Sequence, residues 1–196
     1  MGTRSPSTPQ GSIDSPLSAT EFALGCGARF VARGIDTLPK HLPEVFKRAH
    51  AHKGASFVEV FQNCIVYNDG VYDHFTAKDV AADRQILVEH GKPLIFGADS
   101  DQGIRMRPGK IELEVVTIGE DGITEADILV HDETNKVIAQ LLIGMARPEF
   151  PVALGVIYRQ PGDSFDKSYY ENHVTGMKRT ASIKDKLRNT TTWTVE

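Results

Sequence analysis

The sequence predicts an α/β fold, and three observations carry that expectation. Residues 29–33 (Arg-Phe-Val-Ala-Arg) and 55–61 (Ala-Ser-Phe-Val-Glu-Val-Phe) are rich in β-branched and aromatic residues, as strands are. Between them, residues 38–52 place Leu42, Val45, Phe46 and Ala49 at i, i+3, i+4 and i+7, one face of a helix. A strand–helix–strand order with a crossover of about 20 residues demands a parallel pair.

The elements follow in chain order. Residues 1–19 are dominated by Pro, Ser, Thr and Gly and read as a loop. A short apolar helix with Phe22, Ala23 and Leu24 comes next, closed by Gly25 and Gly27, and it leads into the first strand. In the helix over 38–52, Pro43 sits in the first turn, where its missing N–H costs little. Lys47, Arg48, His50 and His52 crowd its C-terminal end, complementing the helix dipole, and Gly54 ends it. After the second strand the character changes. Residues 78–89 read as a helix on the apolar positions Val80, Ile86, Leu87 and Val88. Short strands are expected at 93–97, 103–105 and 111–116, with a short apolar run at 128–131. Residues 137–146 fit either helix or strand, Pro148 and Pro151 break the chain, and 152–158 is a last apolar strand. From Asp163 the chain is polar. Residues 180–196 carry Lys184, Lys186 and Arg188 with little to bury, a tail that is mobile or docks on a partner. There is no internal repeat.

Composition excludes several classes. The chain has 196 residues, 40% hydrophobic and 24% charged, with net charge −4. These suit one soluble domain, or one domain with an extension. No basic stripe marks a nucleic-acid binder. No apolar run approaches the roughly 18 residues that cross a bilayer, and no h-region marks a signal peptide. Two cysteines, Cys26 and Cys64, are too few for a disulfide scaffold or a complete metal site. A reduced, cytoplasmic setting is expected, and both thiols read first as buried small hydrophobes.

Other candidates are weak. Gly25-x-Gly27 is too short for a dinucleotide fingerprint, and no nucleophile elbow is present. His50 and His52, two apart on a helix, face different directions. His131-Asp132-Glu133 could do acid–base work, but a strand end turning into solvent is the commoner source of such a run. Arg105, Arg107 and Lys110 read as a solvated face. Asn68-Asp69-Gly70 is a turn signal, lying where ligands bind in parallel sheets, beyond the C-terminal ends of the strands. Cys64 lies in the same stretch.

Residues 54–70, GASFVEVFQNCIVYNDG, resemble the segment of 2-oxoacid:ferredoxin oxidoreductase β subunits in which a core strand runs into Gln-x-Cys and Asn-Asp. The resemblance continues upstream in STPQGSID at 7–14 and LGCGARFVAR at 24–33. Downstream it continues in LVEHGKPLIFG at 87–97, ILVHDE at 128–133 and residues 151–160. It spans roughly residues 5–170 and is strongest for the 2-oxoglutarate type.

The resemblance implies the C-terminal part of a thiamine-diphosphate-binding parallel-sheet fold, followed by a mixed α+β extension. The implied division is a loop at 1–18, the end of the cofactor-binding domain at 19–70, the extension at 71–175 and a polar tail at 176–196. It implies oxidative decarboxylation of a 2-oxoacid with coenzyme A to an acyl-CoA, with electrons passed to ferredoxin. Thiamine diphosphate, Mg²⁺ and a [4Fe–4S] cluster are the implied cofactors, and an α subunit the implied partner. Four thiolates hold such a cluster. By position Cys64 is the fourth ligand, whereas Cys26 has no counterpart and keeps its core reading. The family's Gly-Asp-Gly-Asp…Asn motif and three further cluster cysteines are absent from these 196 residues. The chain alone is therefore expected to bind neither cofactor tightly and to be inactive. A non-catalytic subunit-interaction fragment, or a remnant, is the alternative.

Overall fold

The computed structural model describes residues 2–175, 182–188 and 193. Contacts divide the chain into two compact units, 1–162 and 163–196.

The first unit is mixed α/β. Helix α1 (Ala19–Gly25) is capped by Ser18, whose hydroxyl accepts the Glu21 N–H. Strand β1 (Phe30–Ile35), helix α2 (His41–Ala51) and strand β2 (Phe57–Phe61) form the expected crossover unit, and β1 and β2 pair in parallel. Helix α3 (Asp73–Thr76) is one turn, and so is helix α4 (Ala81–Arg84). Strand β3 (Gln85–Val88) follows, then a hairpin-linked sheet of β4 (Ile95–Phe96), β5 (Gln102–Met106) and β6 (Leu113–Thr117). Helix α5 (Lys136–Ile143) resolves the open reading at 137–146. Asn135 caps it, accepting N–H bonds from Val137 and Ile138. Strand β7 (Val152–Arg159) closes the unit.

The main sheet runs β2-β1-β7-β3, so strands from both sides of residue 70 share it. β7 is antiparallel to β1 and parallel to β3. Its central place explains its unbroken apolar run: residues 152–158 are buried throughout. The register against β1 slips between Val31 and Ala32, which face Tyr158 and Val156, leaving Ile157 as an extra residue. Phe30, Val31, Ala32 and Ile35 are fully buried beside it.

One expected element is corrected. Residues 78–89 are not a helix: α4 makes one turn, and 85–88 is strand β3. Three consecutive apolar residues give no helical face. They alternate instead, with Ile86 and Val88 buried and Leu87 49% exposed. Pairing with β7 selects the strand.

The second unit contains helix α6 (Phe165–Tyr169), a π-helical turn (Tyr170–Val174) and helix α7 (Ile183–Arg188). Lys167 bonds Asp163 at 2.6 Å. Most of the polar tail expected at 176–196 lies outside the described residues.

Candidate functional site

The parallel pair ends where the site was expected. β2 delivers the chain into the loop 62–71, and aromatic packing anchors both ends of that loop. Phe61 meets Tyr72 at 5.2 Å and Phe75 at 5.5 Å between ring centroids, over a core of Ile35, Val152 and Leu154. Arg147 lies over the Phe75 ring at 5.2 Å.

Asn63 ties the loop together. Its backbone N–H donates to Asp36 Oδ2 at the end of β1 (3.3 Å), and its Nδ2 donates to Asp69 Oδ1 (2.8 Å). Its Oδ1 accepts the Gly70 N–H (3.0 Å). The Asn68 N–H donates to the Cys64 carbonyl (2.9 Å), closing a tight turn across Ile65, Val66 and Tyr67. Gly70 has φ +69°, and a Cβ there would stand 2.8 Å from Asp73 Oδ2, so the turn requires glycine. The Asn-Asp-Gly signal is therefore structural, because it folds the chain back under the cysteine.

Cys64 is exposed at the tip of this frame, not buried. Its neighbours Ile65, Val66 and Tyr67 are 78%, 65% and 54% exposed. Cys26 is exposed too, which corrects its core reading. It caps α1, its N–H bonding the Phe22 carbonyl, and Gly27 at φ +88° turns the chain immediately after it.

A second polar site was missed in the sequence. His131 and Glu133 are buried, which corrects the reading of 131–133 as a solvated strand end. Glu133 takes Arg48 of α2 at 2.5 Å and Arg159 of β7 at 3.5 Å. His131 Nε2 lies 2.9 Å from the Val156 carbonyl, and its buried Nδ1 has no hydrogen-bond partner among the described residues. Burial holds the His131 ring below the usual histidine range. The clue was spacing: His131 and Glu133 point the same way from an extended segment, whereas Asp132 points outward to Thr134. Arg105 and Arg107 also do more than face water, for both bond Glu114 across the β5–β6 hairpin and hold its carboxyl below the usual range.

A cleft of about 340 Å³ lies between α1, the β1–β2 face and the turn after α5. Leu17, Glu21, Phe61, Met145 and Arg147 line it around an Arg33–Glu59 pair at 2.7 Å. Arg33 also donates to Thr20 Oγ1 at 2.6 Å, so its charge is already satisfied.

Among the described residues no three His, Cys, Asp or Glu side chains converge as a metal site would require. The donors present do not by themselves fit a four-thiolate cluster, since Cys64 offers one thiolate. Nor do the residues present fit thiamine diphosphate with Mg²⁺, because the family's Gly-Asp-Gly-Asp…Asn motif has no counterpart here. No helix among the described residues is long and apolar enough to cross a membrane.

Comparison with known proteins addresses the frame as a whole. The chain is 32% identical over 203 residues to the 2-oxoglutarate oxidoreductase subunit KorB of Mycobacterium tuberculosis, covering all of this chain and 53% of that protein. The chain resembles the β subunits of 2-oxoacid:ferredoxin oxidoreductases, of the 2-oxoglutarate type. A 2-oxoacid:ferredoxin oxidoreductase β subunit of Saccharolobus solfataricus is 39% identical over 69 residues, 35% of this chain and 23% of that protein. The fold agrees with that of a solved 2-oxoglutarate:ferredoxin oxidoreductase from Magnetococcus marinus. The TM-score is 0.60 at 19% identity, over 95% of this chain and 49% of that one. That enzyme was solved with 2-oxoglutarate, coenzyme A and succinyl-CoA bound. No family model matches the sequence. The chain spans about half the length of the Mycobacterium subunit and of the Magnetococcus chain.

Proposed function

We propose that this chain is the C-terminal portion of a cytoplasmic 2-oxoglutarate:ferredoxin oxidoreductase β subunit. In the complete enzyme a 2-oxoacid and coenzyme A become an acyl-CoA and carbon dioxide, and the electrons pass to ferredoxin. The observation that carries the reading is the similarity of this whole chain to 53% of the Mycobacterium subunit, together with Cys64 presented at the end of a parallel strand.

Cys64 contributes one thiolate to a [4Fe–4S] cluster, and the loop framed by Asn63 holds it clear of the protein body. The other three thiolates, and the residues that bind thiamine diphosphate and Mg²⁺, come from outside these 196 residues, as does the α subunit. The 196-residue chain alone is inactive in this reading. The fold also supports a purely adhesive role, because the exposed Ile65, Val66 and Tyr67 offer an apolar contact surface without any chemistry.

The deciding experiment assembles the chain with the missing half and the α subunit, then compares Cys64→Ser with Cys26→Ser. The expected result is loss of cluster iron and of ferredoxin reduction in Cys64→Ser, with Cys26→Ser mild. Equal effects of the two would remove Cys64 from the ligand set. Copurification with an α subunit without any turnover would favour the adhesive role.

A further inference from the structure

Helices α3 and α4 and the turn before β7 surround a cavity of about 200 Å³. His74 and Phe75 come from α3, Arg84 from the end of α4, and Arg147, Pro148 and Phe150 from the turn. The Phe150 N–H closes that turn by donating to the Ala146 carbonyl at 3.0 Å. Phe75 is buried in the same cluster as Ile35 and Leu154, so one wall of the cavity belongs to the core.

Two cations meet in this cavity, and no carboxylate lines it. Among the described residues neither Arg84 nor Arg147 forms an ion pair. Arg84 Nη1 donates instead to the Pro148 carbonyl at 2.6 Å. Arg147 Nη1 lies 3.1 Å from His74 Nε2, and because a guanidinium has no acceptor, the imidazole nitrogen accepts. The acids next to these residues in sequence turn elsewhere. Asp83 accepts the Ala98 N–H at 3.0 Å, Asp73 lies against Gly70, and Glu149 lines a groove beside β6.

Clefts lined by one sign of charge, with walls of low dielectric, concentrate the opposite ion. Here the walls are Phe75 and Phe150. Each guanidinium has several N–H donors and commits only Nη1 in the described hydrogen bonds, so both keep donors for a ligand. Planar, forked donors suit the oxygens of phosphate and carboxylate. Charge decides between the two. A phosphate monoester carries about −1.5 to −2 near pH 7 and answers both cations, whereas a single carboxylate answers one. Size limits the rest. The cavity is smaller than the ~300–1,000 Å³ of sites that hold a whole drug-sized ligand, so it takes a phosphoryl group with a short stem.

We propose that His74, Arg84 and Arg147 form a binding site for a phosphoryl dianion, either free phosphate or the phosphate of a small monoester whose stem lies against Phe150. Arg84 and Arg147 hold the oxygens, and His74 fixes Arg147 through its Nη1. This site stands independently of the family reading, since none of the three residues lies in the Cys64 loop or supplies a thiolate.

Calorimetric titration and arginine side-chain NMR on the 196-residue chain test this, with inorganic phosphate, phenyl phosphate and acetate as probes at fixed ionic strength. Both phosphates should bind with a Kd on the order of 1 mM and shift the Nε–H resonances of Arg84 and Arg147, and acetate should bind at least about tenfold more weakly. Tighter binding of phenyl phosphate than of inorganic phosphate would place a monoester in the site, and the reverse order would place free phosphate there. Arg84→Gln and Arg147→Gln should each weaken phosphate binding by at least about tenfold. Arg84→Lys should recover only part of that loss, because an ammonium lacks the fork. Should Arg147→Gln fail to fold, the exposed Arg84 decides by itself. Equal affinity for acetate and phosphate, affinity unchanged in Arg84→Gln, or no shift at the two Nε–H groups would overturn the proposal. Cys64→Ser should leave phosphate affinity unchanged, so failure of the cluster-ligand reading and failure of this site are separately visible.

Discussion

Asn63 and Asp69 are joined by a 2.8 Å hydrogen bond from the Asn63 Nδ2, and the same side chain accepts the Gly70 N–H at 3.0 Å. This one amide sets the loop that presents Cys64. Asn63→Ala removes both bonds and should cost about 1–2 kcal/mol of local stability. The Asn68 amide, bonded to the Cys64 carbonyl, should then exchange faster with solvent, while the amides of β1 stay protected. Asn63→Asp should behave no better, because its carboxylate has no proton to give Asp69 and repels both Asp69 and Asp36. Unchanged exchange at Asn68 in either variant would show that the loop is held by something else.

Glu133 is the buried partner of two arginines that reach it from α2 and β7. Glu133→Ala leaves both without their counter-ion. Arg48 and Arg159 keep part of their surface in water, so the loss should fall below the roughly 3–5 kcal/mol of a fully buried pair, at about 2 kcal/mol. Denaturant unfolding of the isolated chain measures it. Arg48→Met should cost less than Glu133→Ala, since Arg159 still answers the carboxylate.

Much of this architecture was legible in the sequence, and the exceptions have local causes. The β1-α2-β2 unit could be read because α2 carries apolar residues at helical spacing and the flanking strands are rich in β-branched and aromatic residues. β7 could be read because a central strand needs apolar residues on both faces. β3 could not, since its four residues adopt a strand only through pairing with β7, a partner distant in sequence. The Cys64 loop was placed correctly by the end of a parallel strand. The exposure of Cys26 was missed because a cap position gives no periodic signal. The buried pair His131 and Glu133 was missed because polar letters suggest solvent, and the arginines that permit burial lie 85 and 26 residues away in sequence.

His131 makes stability depend on pH. The groups around it act in both directions: burial, the dominant influence, and His90 oppose its charged form, while Glu133 and Asp132 favour it. The folded ring therefore keeps its neutral form to a lower pH than the unfolded chain, where it titrates near 6.5. Below that pH the unfolded state binds the extra proton, so stability falls as pH falls, and there is no penalty above about pH 7.5. His52 and His41 are displaced in the same direction, both chiefly by burial. Depressed carboxylates such as Asp132 and Asp127 act only nearer about pH 4, so the interval from about 6.5 to 5 belongs to the histidines. His131→Gln, which keeps a donor toward the Val156 carbonyl, should flatten unfolding free energy against pH in that interval by up to about 1.4 kcal/mol per pH unit. A slope equal to that of the unaltered chain would assign the dependence to His52 and His41.

Gly155 sits in the middle of β7 at φ +125°, opposite Val88 of β3 and Arg33 of β1. A Cβ at this position would stand 2.6 Å from the Val88 carbonyl oxygen, a backbone atom that cannot swing aside. Gly155→Ala therefore meets two penalties, an unfavourable φ and a steric clash inside the sheet. It should destabilise the chain by about 2–3 kcal/mol. The β7–β3 ladder lies on the far side of β1 from Cys64 and the β2 edge. Gly155→Ala should accordingly raise exchange at the Val88 and Leu154 amides first, while the Asn68 amide in the Cys64 loop follows only the global loss of stability. If the Asn68 amide opened together with β3, well before global unfolding, the sheet would be one mechanical unit from β3 to the cysteine loop.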